Sequence, residues 1–275
     1  MRLIVDPHPR PVRRWRAAVL SAVVLVACAG PPAGAPAPMM TRDPGPIESA
    51  APANVPPELM AAVRLPPPPR EPEPLAAFGL NLYRDGDFVP QYTFEWCVGA
   101  SMQMTLNMID EPNSTSRDDQ ERLWTMARNR SSDQWGGASG RGWVAVLNGM
   151  GAGPYKLTGI PDYEDALREA AIALRITGRP VGLIMWRGRH AWVMSGFESL
   201  GDPAVDEEFV VTGIHVLDPL YPHGDATWGL SPEPNALLTP EELARQYKAR
   251  DKRSWTYDSP TGYVMILPVA ATGQD

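Results

Sequence analysis

Hydrophobic positions are spread unevenly along this chain, and their spacing changes character twice. Up to residue 27 there is one apolar block, Ala17 to Ala27 (AAVLSAVVLVA), preceded by arginines. From 28 to 75 no period of 2 or 3.6 survives, because fifteen prolines fall between Pro31 and Pro74. Such a stretch cannot bury a core and reads as an extended, stiff spacer. From 76 to 275 the apolar pattern becomes dense, and this part is read as the folded domain. Val98 to Ile109 (VGASMQMTLNMI) carries no charge, which predicts a buried helix rather than an amphipathic surface one. Ser116 to Arg130 is a polar helix with Ser and Asp at its start and Arg at its end, as capping and the helix dipole favour. Trp143 to Leu147 reads as a short helix. Asp162 to Ile176 is amphipathic and closed by Gly178-Arg179-Pro180. Strand-like runs follow at 181–186, 191–197, 209–217 and 262–268, and Thr239 to Tyr247 adds a helix with Thr239 as N-cap and Pro240 at its first position. Helices come first and strands afterwards, joined by short turns. That order predicts an α+β domain with N-terminal helices packed on an antiparallel sheet.

The first block is an address rather than structure. Eleven apolar residues are too few to span a bilayer, which takes about 20 as a helix, and a cationic stretch before them reads as a signal peptide over residues 1–27. The Arg13-Arg14-Trp15 pairing is a weak hint of twin-arginine export. The block ends in Leu25-Val26-Ala27-Cys28, which resembles the lipobox of bacterial lipoproteins. The resemblance implies cleavage before Cys28, acylation of its sulfur and a lipid anchor on the outer face of the cytoplasmic membrane or in the periplasm. The bland alternative is an ordinary secretory signal with a chance cysteine.

Charge removes some partners. The whole chain carries −7, and the first 27 residues hold five arginines against one aspartate, so the remainder stands at −11. A chain that acidic has no basic footprint for nucleic acid. Two cysteines make neither a disulfide scaffold nor a thiolate metal cage. His215 and Asp218 would point to opposite faces of a strand, and no helical pair of histidines exists, so neither a metal nor another cofactor is expected.

The residues able to do chemistry are few. With Cys28 lipidated, Cys97 is the remaining thiol, at the first turn of the uncharged helix, where backbone N–H groups and the dipole favour a thiolate. Three histidines lie beyond the signal: His190, His215 and His223. His190 opens a strand after the polar turn Trp186-Arg187-Gly188-Arg189, and Asp218 closes a later strand before Pro219. An aspartate accepting from His190 Nδ1–H would fix the imidazole tautomer. Gln91, six residues before Cys97, could supply an oxyanion donor beside the Cys97 N–H. Trp96 and Trp192 are candidates for the substrate cleft, although tryptophans more often serve the core, and the methionines of the helix read as core filling. The glycine-rich stretch 136–142 is a loop able to border a groove.

Taken together, Gln91-Tyr92-Thr93-Phe94-Glu95-Trp96-Cys97, Gly188-Arg189-His190-Ala191-Trp192 and Val216-Leu217-Asp218-Pro219 resemble papain-like cysteine peptidases. The branch is that of bacteriocin-leader-processing domains and their stand-alone bacterial relatives. The resemblance runs from Gln91 to about Pro268. It implies a papain-like fold, Cys97 as nucleophile, His190 as base and acid, Asp218 as orienting residue and Gln91 as oxyanion donor, with a peptide or protein as substrate. Many members carry Gly-Pro after the cysteine, where this chain has Val98-Gly99, and the leader specificity of transporter-fused members does not carry over. Two rivals remain: a cell-wall amidase or endopeptidase, which usually orients its histidine with a second histidine, and a papain-like module that binds peptides without turnover.

Overall fold

The computed structural model describes residues 74–110, 112–131, 136–251 and 259–270. The signal block, Cys28 and all but the end of the proline-rich spacer lie outside the described residues. The elements run β1 (Ala77–Asn81), α1 (Cys97–Ile109), α2 (Arg117–Arg128), α3 (Gly140–Gly149), β2 (Tyr155–Ile160), α4 (Tyr163–Thr177), β3 (Val181–Met185), β4 (His190–Leu200), β5 (Val210–Leu217), β6 (Gly224–Asp225), β7 (Gly229–Leu230), β8 (Ala236–Leu238), α5 (Pro240–Leu243) and β9 (Tyr263–Pro268). Every pairing among them is antiparallel, so the domain is α+β. Among the described residues no helix is long and apolar enough to cross a membrane.

Seven strands form one sheet in the order β2-β9-β3-β4-β5-β8, with β1 also on β4. Strand β4 is the spine. Its first half pairs with β3 (Met185 opposite His190), its second half with β1 (Ala77 opposite Leu200), and β5 runs along its other edge. Alternation along β4 sends Trp192, Met194 and Phe197 into a core shared with α4, while Ala191 and Val193 enter a second core with α1, α2 and α3. Both faces of the sheet are therefore covered. This is why β3 and β4 read as continuous apolar runs instead of alternating ones.

The helices end where their sequences say they should. Ser116 accepts from Asp119 N, Asp162 accepts from Glu164 N and Asp165 N, and Gly178 closes α4 in the left-handed conformation at φ 61°. Helix α3 extends beyond the predicted 143–147 because Ser139 caps it four residues earlier than Trp143, at Gly142 N. Helix α5 is shorter than predicted. Thr239 and Glu242 form a full capping box, but past Leu243 the Gln246 carbonyl accepts from Trp186 N and ties the chain to the β3–β4 hairpin. Strands β1, β2, β6, β7 and β8 were not expected. Helix α1 is fixed to the sheet by Ser101 Oγ donating to the Ala191 carbonyl at 3.1 Å.

Candidate active site

The antiparallel β4–β5 ladder, in which Val193 faces Leu217, puts the first residue of β4 and the residue after β5 at the same end of the sheet. Those residues are His190 and Asp218. Their contact is direct: His190 Nε2 lies 2.7 Å from Asp218 Oδ1. Both are buried, His190 at 5% exposure and Asp218 at 0%. The carboxylate is held in place by its own turn, since Oδ1 also accepts from Leu220 N at 2.9 Å and the Asp218 carbonyl accepts from Tyr221 N.

The nucleophile candidate arrives from the other layer. Cys97 is the first residue of α1, half-buried and unpaired with any cysteine. No side chain caps this helix and no acidic residue sits in its first turn, which leaves the first-turn N–H groups without a side-chain acceptor. The Cys97 side chain meets the His190 ring. Because Asp218 takes Nε2, Nδ1 is the ring nitrogen left without a carboxylate. The expected orientation is thus corrected: Asp218 holds Nε2–H, not Nδ1–H, which fixes the opposite tautomer and leaves Nδ1 as the basic nitrogen of the neutral ring.

Burial alone would lower the His190 pKa, but hydrogen bonds to Asp218 and Cys97, with their charges, outweigh it and push the value up to about 9. The folded value lies above the ordinary 6.5, so the stabilisation from the imidazolium is fully present below pH 6.5 and is lost as pH rises through about 9. We expect the urea midpoint of the wild type to fall, relative to His190→Gln, between pH 7 and pH 10. Parallel profiles for the two proteins would contradict the buried imidazolium.

Gln91 is placed differently from expectation. Its Nε2 donates to the carbonyls of Thr93 and Phe94 at 3.2 and 3.1 Å, and its Oε1 is buried with no partner. The amide therefore holds the turn that leads into α1. The side chain lines a neighbouring cleft formed with Pro219 to His223, not the groove at Cys97. Its backbone N–H donates to the Pro219 carbonyl at 2.8 Å, which ties the turn before Cys97 to the turn after Asp218.

The two tryptophans expected in the cleft are corrected. Trp192 is fully buried in the core against α4, because β4 is covered on both faces. Trp96 is covered by Trp124, 5.9 Å between rings, and by the Arg117 guanidinium at 5.2 Å. Trp186 stacks on His190 instead, with centroids 4.2 Å apart. Its Nε1 donates to Gln246 Oε1 at 2.9 Å and its other side faces Trp228. This indole shields the His190–Asp218 pair from water. The turn composition Trp-Arg-Gly-Arg signals the hairpin but not the fold-back of Trp186, which takes φ 55°.

A groove of about 340 Å³ opens over Cys97 and His190. One side is formed by 136–140, part of the glycine-rich stretch, and the other by 187–189 of the hairpin, with Leu157, Ile184 and Val264 as an apolar floor. His215 is elsewhere, its Nδ1 against the Asn235 carbonyl at 3.3 Å. Among the described residues no three metal-ligating side chains come together. Comparison of the chain with protein-family models, with characterised proteins and with solved structures returned no match in any of the three.

Proposed function

We propose that the chain is a cysteine hydrolase acting on amide bonds of peptides or proteins, with a papain-like arrangement of its site. The observation that carries the reading is the joint burial of His190 and Asp218 at 2.7 Å beside Cys97, with Cys97 and His190 lining one groove. Cys97 Sγ attacks the substrate carbonyl carbon, and the Cys97 N–H meets the developing oxyanion. The imidazolium gives its proton to the leaving amine as the C–N bond breaks, leaving a thioester. Water, deprotonated by His190, then hydrolyses the thioester and restores the thiol. Gln91 joins the oxyanion site only if its amide leaves the Thr93 and Phe94 carbonyls. Asp218 and a single histidine at the site favour this reading over a wall amidase with paired histidines.

The signal-like first 27 residues and the lipobox-like Leu25-Val26-Ala27-Cys28 support export and anchoring at the bacterial membrane by lipid on Cys28, with 28–75 as spacer. Turnover of a mixed peptide library by the full chain tests the reading. Hydrolysis should disappear in Cys97→Ala and decline above about pH 9, where the His190 proton is lost. Equal turnover by Cys97→Ala sinks it. A second reading, a peptide-binding module without turnover, is favoured by one observation, the commitment of the Gln91 amide to the Thr93 and Phe94 carbonyls. Peptide binding by the wild type with no cleavage would select it.

A further inference from the structure

The groove differs in sign from the chain that carries it. The protein has a net charge of −7, yet the groove is lined by Arg187, Arg189 and Arg250, with Glu95 as the carboxylate among its described lining residues. The first two flank Gly188 in the β3–β4 hairpin, where successive residues Trp186, Arg187 and Gly188 take φ of 55°, 58° and 98°. Both arginines are exposed and neither makes an ion pair among the described residues.

Arg250 lies under that hairpin, 7% exposed. Its Nη1 donates to the carbonyls of Ser259 and Pro260 at 2.7 and 2.9 Å. A Cβ at Gly188 would come within 3.0 Å of its Cδ and Nε, so the glycine lets the turn rest on the arginine. One guanidinium is thus fixed by backbone, and two exposed ones lie in the hairpin that rests on it. The N-terminus of α1, with no acid in its first turn, adds its partial positive charge on the Cys97 side. A cleft with low-dielectric walls focuses such a field.

We propose that this groove selects substrates carrying a carboxylate close to the scissile bond, a specificity that rests on the hydrolase reading of Cys97. The apolar floor at Leu157, Ile184 and Val264 receives an uncharged part of the substrate, while the carboxylate sits at the arginine rim. The carboxylate belongs either to an acidic side chain or to a chain terminus, which present the same group to a guanidinium.

The test uses the full chain with Cys28→Ser, in which Cys97 is the sole thiol, and two alkylating probes, anionic iodoacetate and neutral iodoacetamide. In both, the sulfur attacks the CH₂ carbon and iodide leaves, so the ratio of the two rates cancels the intrinsic reactivity of the thiol. The ratio should fall at least about 3-fold in Arg187→Glu/Arg189→Glu, and in the wild type it should fall as salt rises from about 0.02 to about 0.5 M. A ratio unmoved by both changes overturns the proposal. Failure of the hydrolase reading looks different: absolute rates indifferent to His190→Ala, with the ratio still dependent on the arginines.

Protection of Cys97 from iodoacetamide then separates the two sources. One peptide is an end-blocked alanine pentapeptide with a central glutamate, another is the all-alanine pentapeptide with a free C-terminal carboxylate, and the third is its amide. Protection by the first or second beyond the third supports the proposal and assigns the source. Equal effects of all three overturn it.

Discussion

Replacing His190 with alanine is expected to slow alkylation of Cys97 at pH 6 by about 100-fold and to lower amide hydrolysis by about 10⁴-fold. The first figure follows from thiol chemistry. Alkylation runs through the thiolate, and His190 is the base in the groove able to take the Cys97 proton and stay beside the charge it leaves. The second adds the loss of the group proposed to protonate the leaving amine. His190 also supports structure, because its Nε2 is the side-chain partner of the fully buried Asp218, whose Oδ2 has none. His190→Gln therefore accompanies the alanine variant: an amide N–H keeps a donor near Asp218 Oδ1 but can neither hold nor deliver a proton at neutral pH. Iodoacetamide rates and peptide turnover are the measurements. Loss of both in the glutamine variant, while it still unfolds in one cooperative urea transition, assigns the effect to chemistry. Alkylation that is as fast at pH 6 in both variants as in the wild type removes the hydrolase reading.

Gly142→Ala is expected to destabilise the domain by about 2–4 kcal/mol, an overpacking effect at the upper end of its usual range. Gly142 lies in the first turn of α3, and a Cβ there would fall on the carbonyl oxygen of Ala127 at the end of α2 and lie 2.9 Å from Ser131 Oγ. The obstacle is backbone, which cannot swing aside as a flexible side chain would. Gly149, at the other end of the same helix, has nothing within 4 Å of its Cβ position. Gly149→Ala should be neutral or add up to about 1 kcal/mol, by helix propensity and reduced freedom of the unfolded chain. Urea denaturation of the pair checks this. Equal midpoints would mean that α2 and α3 do not approach so closely.

Much of this architecture was legible because local chemistry and tertiary structure agree. The uncharged run after Cys97 is a helix buried on nearly every side, with Met102, Met104 and Met108 in the core. Caps at Ser116, Asp162 and Thr239 mark helix starts by satisfying backbone donors, a requirement that precedes any packing. What escaped was set by partners distant in sequence. Strand β1 (Ala77–Asn81) has two small residues and an Asn, and pairing with β4 is what makes it a strand. Strand β2 shows no alternation, its positions mostly half-buried along the edge beside β9.

The site divides in the same way. Cys97, His190 and Asp218 meet because each sits at the end of an element whose limits the sequence displays. The tryptophans did not follow, since periodicity gives the face of a strand but not how deeply that face is covered. Trp192 is thus core, whereas Trp186, at a left-handed turn position, closes over the histidine. Gln91 was placed by spacing alone, and spacing does not say that two nearby carbonyls will hold its amide.

The hydrogen bond from Ser101 Oγ to the Ala191 carbonyl joins residues lying four positions after Cys97 and one after His190. It acts as a registration mark between two elements from different layers. An α-helix advances about 1.5 Å and turns about 100° with each residue, so one residue inserted between Cys97 and Ser101 would swing the thiol off the imidazole and take Val98 and Gly99 out of their packing, while the sheet and the rest of the helix keep their register. Length changes in the loop at 202–208, remote from the groove, carry no such consequence. In a lineage descended from this chain, the interval from Cys97 to Ser101 should therefore stay free of insertions and deletions even where the outer loops drift in length.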